Sequence, residues 1–365
     1  MIVIERYAEA QAGLDAIVGA AREQSSASSL AFPLIVRADL RMRIGQLEGA
    51  LADASEAIRL AEETGQRGAA GYAAGVLARV EAMLGRPGQC QAHADAALDA
   101  VGRSEAEGLR IHAGSALGLL ALTQGAFALA LAHLVPVAGR ARDGGVVHPL
   151  LVPFRQDLVE ARIRLGQDGE AARDLAELQS HADRTGALWA AAAAARCRGL
   201  MAAERDYEAH FAAAAALHER TTTPLERART DLCLGERHRR ARRVRDARAP
   251  LRRALETFEG LGAVLWAEWA RRELRAAGGR PREPRPAPTE TLTPQELQVA
   301  LAVSRGATNK EAAAALLISP KTVEYHLGRI YGKLGVRTRA ALAHRLTRDG
   351  SGHVLADDDR PTGAD

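Results

Sequence analysis

Residues 308–334 read TNKEAAAALLISPKTVEYHLGRIYGKL, and this stretch decides the fold of the C-terminal part of the chain. Thr308-Asn309-Lys310-Glu311 is a capping box, in which the threonine hydroxyl accepts from the backbone three residues on and the glutamate reaches back. Ser319-Pro320 is a second helix start, a serine cap followed by proline at the first helical position. One helix is therefore expected from about Asn309 to Leu317 and another from about Pro320 to Leu334, with only Ile318-Ser319 between them. Two helices joined so tightly form the arrangement that lays its second helix in the major groove of DNA. Val323, Leu327, Ile330 and Leu334 share one stripe of that second helix, which marks its core side. At about 100° per residue the opposite face carries Lys321, Tyr325, Gly328 and Gly332, flanked by Glu324 and Arg329. Each glycine lowers helix propensity by about 1 kcal/mol relative to alanine, and close approach to DNA is a reason to tolerate that.

Working outward, Thr293-Pro294-Gln295-Glu296 is another capping box with proline in place, and it starts a helix over about Pro294 to Ser304. A fourth helix begins near Thr338. The segment from Leu292 to Leu342 resembles the LuxR-type DNA-binding domain. NKEAAAAL at 309–316, ISPKTVEYHL at 318–327 and KLGVRTRA at 333–340 carry the resemblance, which covers about one sixth of the chain. It implies a four-helix domain whose third helix reads the major groove and whose fourth helps a homodimer form on double-stranded DNA. Base-edge contacts would come from Glu324, Tyr325 and Gly328, and phosphate contacts from Lys321, Thr322 and Arg337. Asn309, Lys310, Arg329 and Lys333 complete the expected DNA-facing set. The family often has a polar or basic residue where Gly328 stands, so one base contact is expected to be missing. His326 sits beside the buried stripe and is read as structural.

The first three quarters of the chain repeat. Gly45, Gly85 and Gly125 lie 40 residues apart, and Gly166 follows 41 later. Asp206 and Val244 stand near the matching places of two further units. An apolar helical stretch precedes each mark, such as Leu40 to Ile44, and about 15 residues of helical pattern follow. The second stretch ends near Gly65, Gly145, Gly186 or Gly262. Glycine supplies the tight turn because it enters positive φ without a Cβ clash. A single helix hairpin cannot bury its apolar face, so neighbours stack. The expectation is an all-α chain, with an α-solenoid of stacked hairpins followed by the four-helix domain. The array resembles tetratricopeptide-type repeats. Its period exceeds their usual ~34 residues, as in the arrays of MalT-like regulators.

The expected divisions are a repeat array over 1–277, a linker over 278–290, the helix-turn-helix domain over 291–349 and a disordered tail over 350–365. Pro281, Pro284, Pro286 and Pro288 make the linker extended and semi-rigid. Charge is unevenly placed: residues 290–349 hold nine basic and five acidic side chains, an excess equal to the +4 of the whole chain. The lysines are Lys310, Lys321 and Lys333; every other basic residue is arginine. With the abundant alanine, that usage fits a GC-rich bacterial genome. The arginine run from Arg237 to Arg253 reads as a solvated helix face rather than a phosphate-binding ridge.

Other function classes find little support. Cys90, Cys197 and Cys233 form no C-x-x-C pair, and they read as buried thiols in a reducing cytoplasm. Glu5 and Arg6 interrupt any signal-peptide run, and Ala187 to Ala195 is too short to span a bilayer. Histidine spacing suits no metal, and neither a phosphate-cradling G-x-x-x-x-G-K-[ST] nor a G-x-S-x-G is present. MalT-like regulators carry an ATPase module; with its phosphate-cradling motif missing from this sequence, none is expected here. The reading is a cytoplasmic, sequence-specific transcription regulator with neither enzyme activity nor cofactor, its recognition helix near residues 320–334. The array would sense an inducer or bind a partner protein, and RNA polymerase would be a further partner of an activator. The alternative is an interaction scaffold with a vestigial DNA-binding domain; the capping boxes and the basic C-terminal segment favour the regulator.

Overall fold

The computed structural model describes residues 5–23, 27–100, 106–144, 152–281 and 292–348. Among them are eighteen helices and no strand. The chain divides into two compact units, Met1–Arg285 and Pro286–Asp365. The expected linker prolines Pro284, Pro286 and Pro288, the expected tail and Gly145 lie outside the described residues.

The first unit is the solenoid. After α1 (Tyr7–Glu23) come the hairpins α2/α3 (Ala27–Arg43, Leu47–Glu63), α4/α5 (Arg67–Leu84, Pro87–Asp99) and α6/α7 (Ala106–Thr123, Phe127–Asp143). Next are α8/α9 (Arg155–Arg164, Asp168–Thr185), α10/α11 (Leu188–Met201, Tyr207–His218) and α12/α13 (Pro224–Arg240, Val244–Gly260), and α14 (Val264–Ala276) ends the array. The repeat glycines are its turns: Gly45, Gly85, Gly125 and Gly166 all have φ between 70° and 82°. In each turn the amide after the glycine closes back on the helix, as Gln46 N–H does on Arg41 O at 2.8 Å, the bond that satisfies a frayed carbonyl. Where the glycine is missing the turn changes. Ala202 to Asp206 loops between α10 and α11, and Arg242 takes the left-handed conformation at φ 59° before α13.

The helices pack closely because so many core residues are small: Ala190, Ala192, Ala193 and Ala194 of α10 are all fully buried. Each hairpin's first helix lies beside the next hairpin's first helix, and α14 returns to touch α4. The unit therefore closes on itself. The turn at Gly45 lies against Pro224 and Leu261, and the turn at Gly85 against Leu265.

A cluster of four arginines and four carboxylates fills the interior of this closed array. Arg229 donates to Asp157 at 2.7 Å, Glu160 at 2.8 Å and Glu226 at 2.9 Å. Arg79 of α4 donates to the other Asp157 oxygen at 3.1 Å and to the Ser115 hydroxyl at 2.6 Å. Arg196 meets Glu226 at 2.7 Å, and Arg164 joins Glu160 at 3.0 Å to Glu236 at 2.6 Å. The cluster spans α4, α8, α10 and α12 and is charge-balanced. Burial alone would raise the Glu160 carboxyl, yet the guanidiniums of Arg229, Arg164 and Arg196 hold it down at about 2. Helix α14 joins through stacking: Arg229 lies 4.9 Å from the Trp266 ring, Trp266 stacks on Trp269 at 5.6 Å, and Arg164 lies 4.9 Å from Trp269.

The long arginine run is mostly engaged within the array. Arg237 donates to Ala202 O, Arg248 to Ala277 O, and Arg239, Arg243 and Arg253 pair with Glu273, Glu208 and Asp231. The three cysteines are buried, and burial pushes the Cys90 and Cys197 thiols up to about 12.

Two predictions follow from these contacts. A Cβ at Gly45 would sit 2.5 Å from the Pro224 ring, whereas one at Gly125 would meet nothing within 4 Å. Gly125→Ala should therefore lose only the left-handed strain, about 1 kcal/mol, and Gly45→Ala clearly more; equal melting shifts would contradict the closing contact. The second concerns pH. Burial lowers His112 and His218 from 6.5 to about 4. Because the folded state disfavours their protonation, stability should be lost as pH falls from 6.5 toward 4. His93, raised by its hydrogen bond to Glu81, acts with the opposite sign. Melting curves should show His218→Gln flattening the profile over that window; an unchanged slope would exclude His218 as a contributor.

Candidate DNA-binding surface

The second unit contains α15 (Pro294–Ser304), α16 (Asn309–Leu316), α17 (Pro320–Leu334) and α18 (Arg339–Arg348). Its helix starts behave as the sequence suggests. Thr293 Oγ1 accepts from the Glu296 amide at 3.3 Å while Glu296 Oε2 accepts from the Thr293 amide at 2.7 Å, and Thr308 with Glu311 repeats the pair at 3.2 and 2.7 Å. Ser319 Oγ caps the Thr322 amide at 3.1 Å. In the array, the residues before α3, α4 and α7, which are Gln46, Gln66 and Ala126, make no such side-chain cap.

The turn between α16 and α17 is one residue longer than expected. Helix α16 stops at Leu316, and Leu317 is left-handed at φ 52°. No glycine or asparagine signals this position, and a leucine there is strained by about 1–2 kcal/mol. The stripe Val323, Leu327, Ile330 and Leu334 is buried as expected, against a core that includes Leu297, Ala300, Ala313, Leu316 and Leu342.

Burying that stripe turns the opposite face of α17 outward. Tyr325 is 60% exposed, and Lys321, Glu324 and Gly328 are exposed beside it. Arg329 donates to the Tyr325 hydroxyl at 3.0 Å and lies over its ring at 5.7 Å, so the two form one polar, flat-faced unit. Thr322 is half-buried, its hydroxyl 2.8 Å from that of Ser319. Lys310 and Arg337 are exposed with no ion pair among the described residues. A Cβ added at Gly328 or Gly332 would meet nothing within 4 Å, so the domain's own packing requires neither glycine.

Three of the expected contact residues, Lys333, Asn309 and Arg329, are engaged inside the domain. Lys333 reaches Glu296 at 2.5 Å with its side chain only 26% exposed. Asn309 accepts from Arg339 at 2.9 Å. Glu296 is thus more than a cap. With its side chain only 2% exposed, it takes the Thr293 amide, Lys333 and, at 3.2 Å, Arg329, and so pins α17 to the start of α15. Burial would raise this carboxyl, but the Lys333 and Thr293 hydrogen bonds hold it below the usual range. Arg339 similarly ties α18 to the start of α16, donating also to Ala307 O. Sequence reasoning missed Arg339, because a pair 30 residues apart leaves no local signal.

A short helix pair, a capped third helix with a buried stripe and a slim exposed face define a helix-turn-helix domain. Residues 290–346 match the family described as bacterial regulatory proteins, luxR family. The chain is 44% identical over 61 residues to an HTH-type transcriptional regulator of Mycobacterium bovis, covering 17% of this chain and 7% of that protein. It is 46% identical over 57 residues to the transcriptional regulatory protein UhpA of Salmonella typhimurium, 16% of this chain and 29% of that one. It is also 46% identical over 61 residues to the transcriptional regulatory protein LiaR of Bacillus subtilis, again 16% and 29%. The chain thus spans less than a third of the length of each of these relatives, and the second unit is a LuxR-type helix-turn-helix domain.

The open space around the two glycines gives a direct test. Gly332→Ala and Gly328→Ala should each raise the unfolding free energy of the domain, by up to about 1 kcal/mol. A loss of stability in both variants would show that the glycines serve the fold itself.

Proposed function

We propose that the chain is a sequence-specific DNA-binding transcription regulator that inserts α17 into the major groove. The observation that carries this reading is the exposed face of α17, where Lys321, Glu324, Tyr325 and Gly328 lie together on a helix held by its opposite side. Lys321 and Arg337 neutralise phosphates, with Lys310 and Thr322 at the edge of the same surface. Glu324 accepts from a cytosine amino group, and Tyr325 packs on a thymine methyl or bonds a base edge, with Arg329 holding its hydroxyl. Gly328 and Gly332 let the helix backbone approach. Lys333 and Asn309, held by Glu296 and Arg339, position helices more than they contact DNA.

The bound form is a homodimer joined through α18, and RNA polymerase is a further partner if the protein activates. The array serves as the sensor or partner-binding region. Among the described residues no helix is long and apolar enough to cross a membrane, which suits a regulator working in the cytoplasm.

Titrations of operator and scrambled duplexes at several salt concentrations test this. Lys321→Ala or Arg337→Ala should weaken binding to both duplexes alike and reduce the salt slope by about one unit. Tyr325→Ala or Glu324→Ala should lose about 1–3 kcal/mol on the operator and less on the scrambled duplex. Equal losses on both duplexes for Tyr325 and Lys321 variants would refute the division between reading and holding.

A further inference from the structure

The sensor role proposed for the array needs a place for a ligand, and the cavities of the first unit differ in what they offer. The interior cavity near Tyr7, Gln156 and Trp189 is about 40 Å³, room for a few waters and no more. A shallow groove of about 570 Å³ runs between α9 and α10, but no aromatic ring lines it and its polar lining is partly self-paired, Gln179 bonding both Asp183 and Arg198. The third is a cleft of about 310 Å³ walled by the Phe127 and Trp269 rings with Ile163 and Leu200, at the lower end of the size that holds small molecules.

Two cations face this cleft without a counter-charge. Glu236 is taken by Arg164 at 2.6 Å and by the Trp269 indole N–H at 2.9 Å, and Glu273 by Arg239. Arg240 and Arg272 also line the cleft, are exposed, and pair with no side chain among the described residues. Arg240 stands in the last turn of α12, where a positive charge suits the helix end in any case. Arg272 stands inside α14 and has no such role. We propose that this cleft binds a small anion with a flat apolar body, an aromatic carboxylate in chemical class, its carboxylate between Arg240 and Arg272 and its ring against Phe127. The inference deepens the sensor reading of the array and rests on it. The cleft draws its walls from the α6–α7 turn, α8, α10, α12 and α14, so a bound ligand bears on the elements that close the array.

The probe is 1-naphthoate, titrated into the full chain without DNA and followed by calorimetry and by emission of Trp189, Trp266 and Trp269. Saturable binding is expected, weakening at least tenfold in Arg272→Gln and in Arg240→Gln and with 1-naphthalenemethanol in place of the acid. Arg252→Gln, an exposed arginine of α13 outside the cleft, should bind as the unaltered chain does. Absence of saturable binding at millimolar naphthoate would overturn the proposal, as would equal affinity in Arg272→Gln or equal affinity for the alcohol. Since no DNA is present, either result leaves the reading of the helix-turn-helix domain where it stands.

Discussion

The array depends on the contact between Arg229 and the two carboxylates of α8. Asp157 and Glu160 are one helical turn apart, and Arg229 bridges them with both terminal nitrogens from a helix some seventy residues later. Each partner is almost wholly out of water, so removing one leaves a buried charge uncompensated, which typically costs about 3–5 kcal/mol. Such a cluster is weak evidence for stability, because well-packed apolar residues could fill the same space. What it supplies is uniqueness. An alanine-rich solenoid has many near-equivalent ways to stack small residues, whereas a guanidinium fork meets its carboxylates in one arrangement. Arg79, reaching Asp157 from α4, makes the early hairpins part of the same choice.

The closure of the solenoid was not legible in the sequence, though its repeat was. Gly45, Gly85, Gly125 and Gly166 announce their turns because positive φ is a local demand that one residue type meets most cheaply. Nothing local distinguishes Arg79, Arg164, Arg196 and Arg229 from the arginines on the surface; their partners lie in other hairpins. Arg242 shows the limit from the other side: the turn before α13 keeps its left-handed residue although the glycine is gone, and the Arg243 amide still closes on His238 O at 2.8 Å.

The second unit was read more fully because its signals are local. Both capping boxes and the Ser319-Pro320 start lie within four residues of the helices they begin, and the stripe of α17 lies within one helix. The one-residue error at Leu317 has the same explanation in reverse, since tertiary packing of α16 on α17 imposes a conformation that leucine does not advertise. Among the site residues, those on the exposed face of α17 were placed there by periodicity, and their contact roles came from the family resemblance. Lys333 and Asn309 were placed with them by motif, and what sequence could not supply was that Glu296 and Arg339 had already engaged both.

That engagement narrows the chemistry of the exposed face. A lysine bound to a nearly buried carboxylate is a poor phosphate ligand, since its departure would leave Glu296 with only the longer contact to the more exposed Arg329. On the proposed reading, the sequence-independent electrostatic contribution then falls to Lys321, Arg337 and Lys310, which have no ion pair among the described residues. In the proposed complex, base reading is concentrated on the Tyr325–Arg329 pair with Glu324 beside it. A tyrosine whose hydroxyl is already held by an arginine is pre-oriented, so less side-chain freedom is lost when it meets a base edge. Gly328, between the two along the helix, and Gly332, a turn beyond Gly328, present no side chain that competes with the pair. On the proposed reading the recognition face is short in contacts and relies on backbone proximity, so that one ordered aromatic ring would carry more of the sequence discrimination than a longer row of flexible polar side chains.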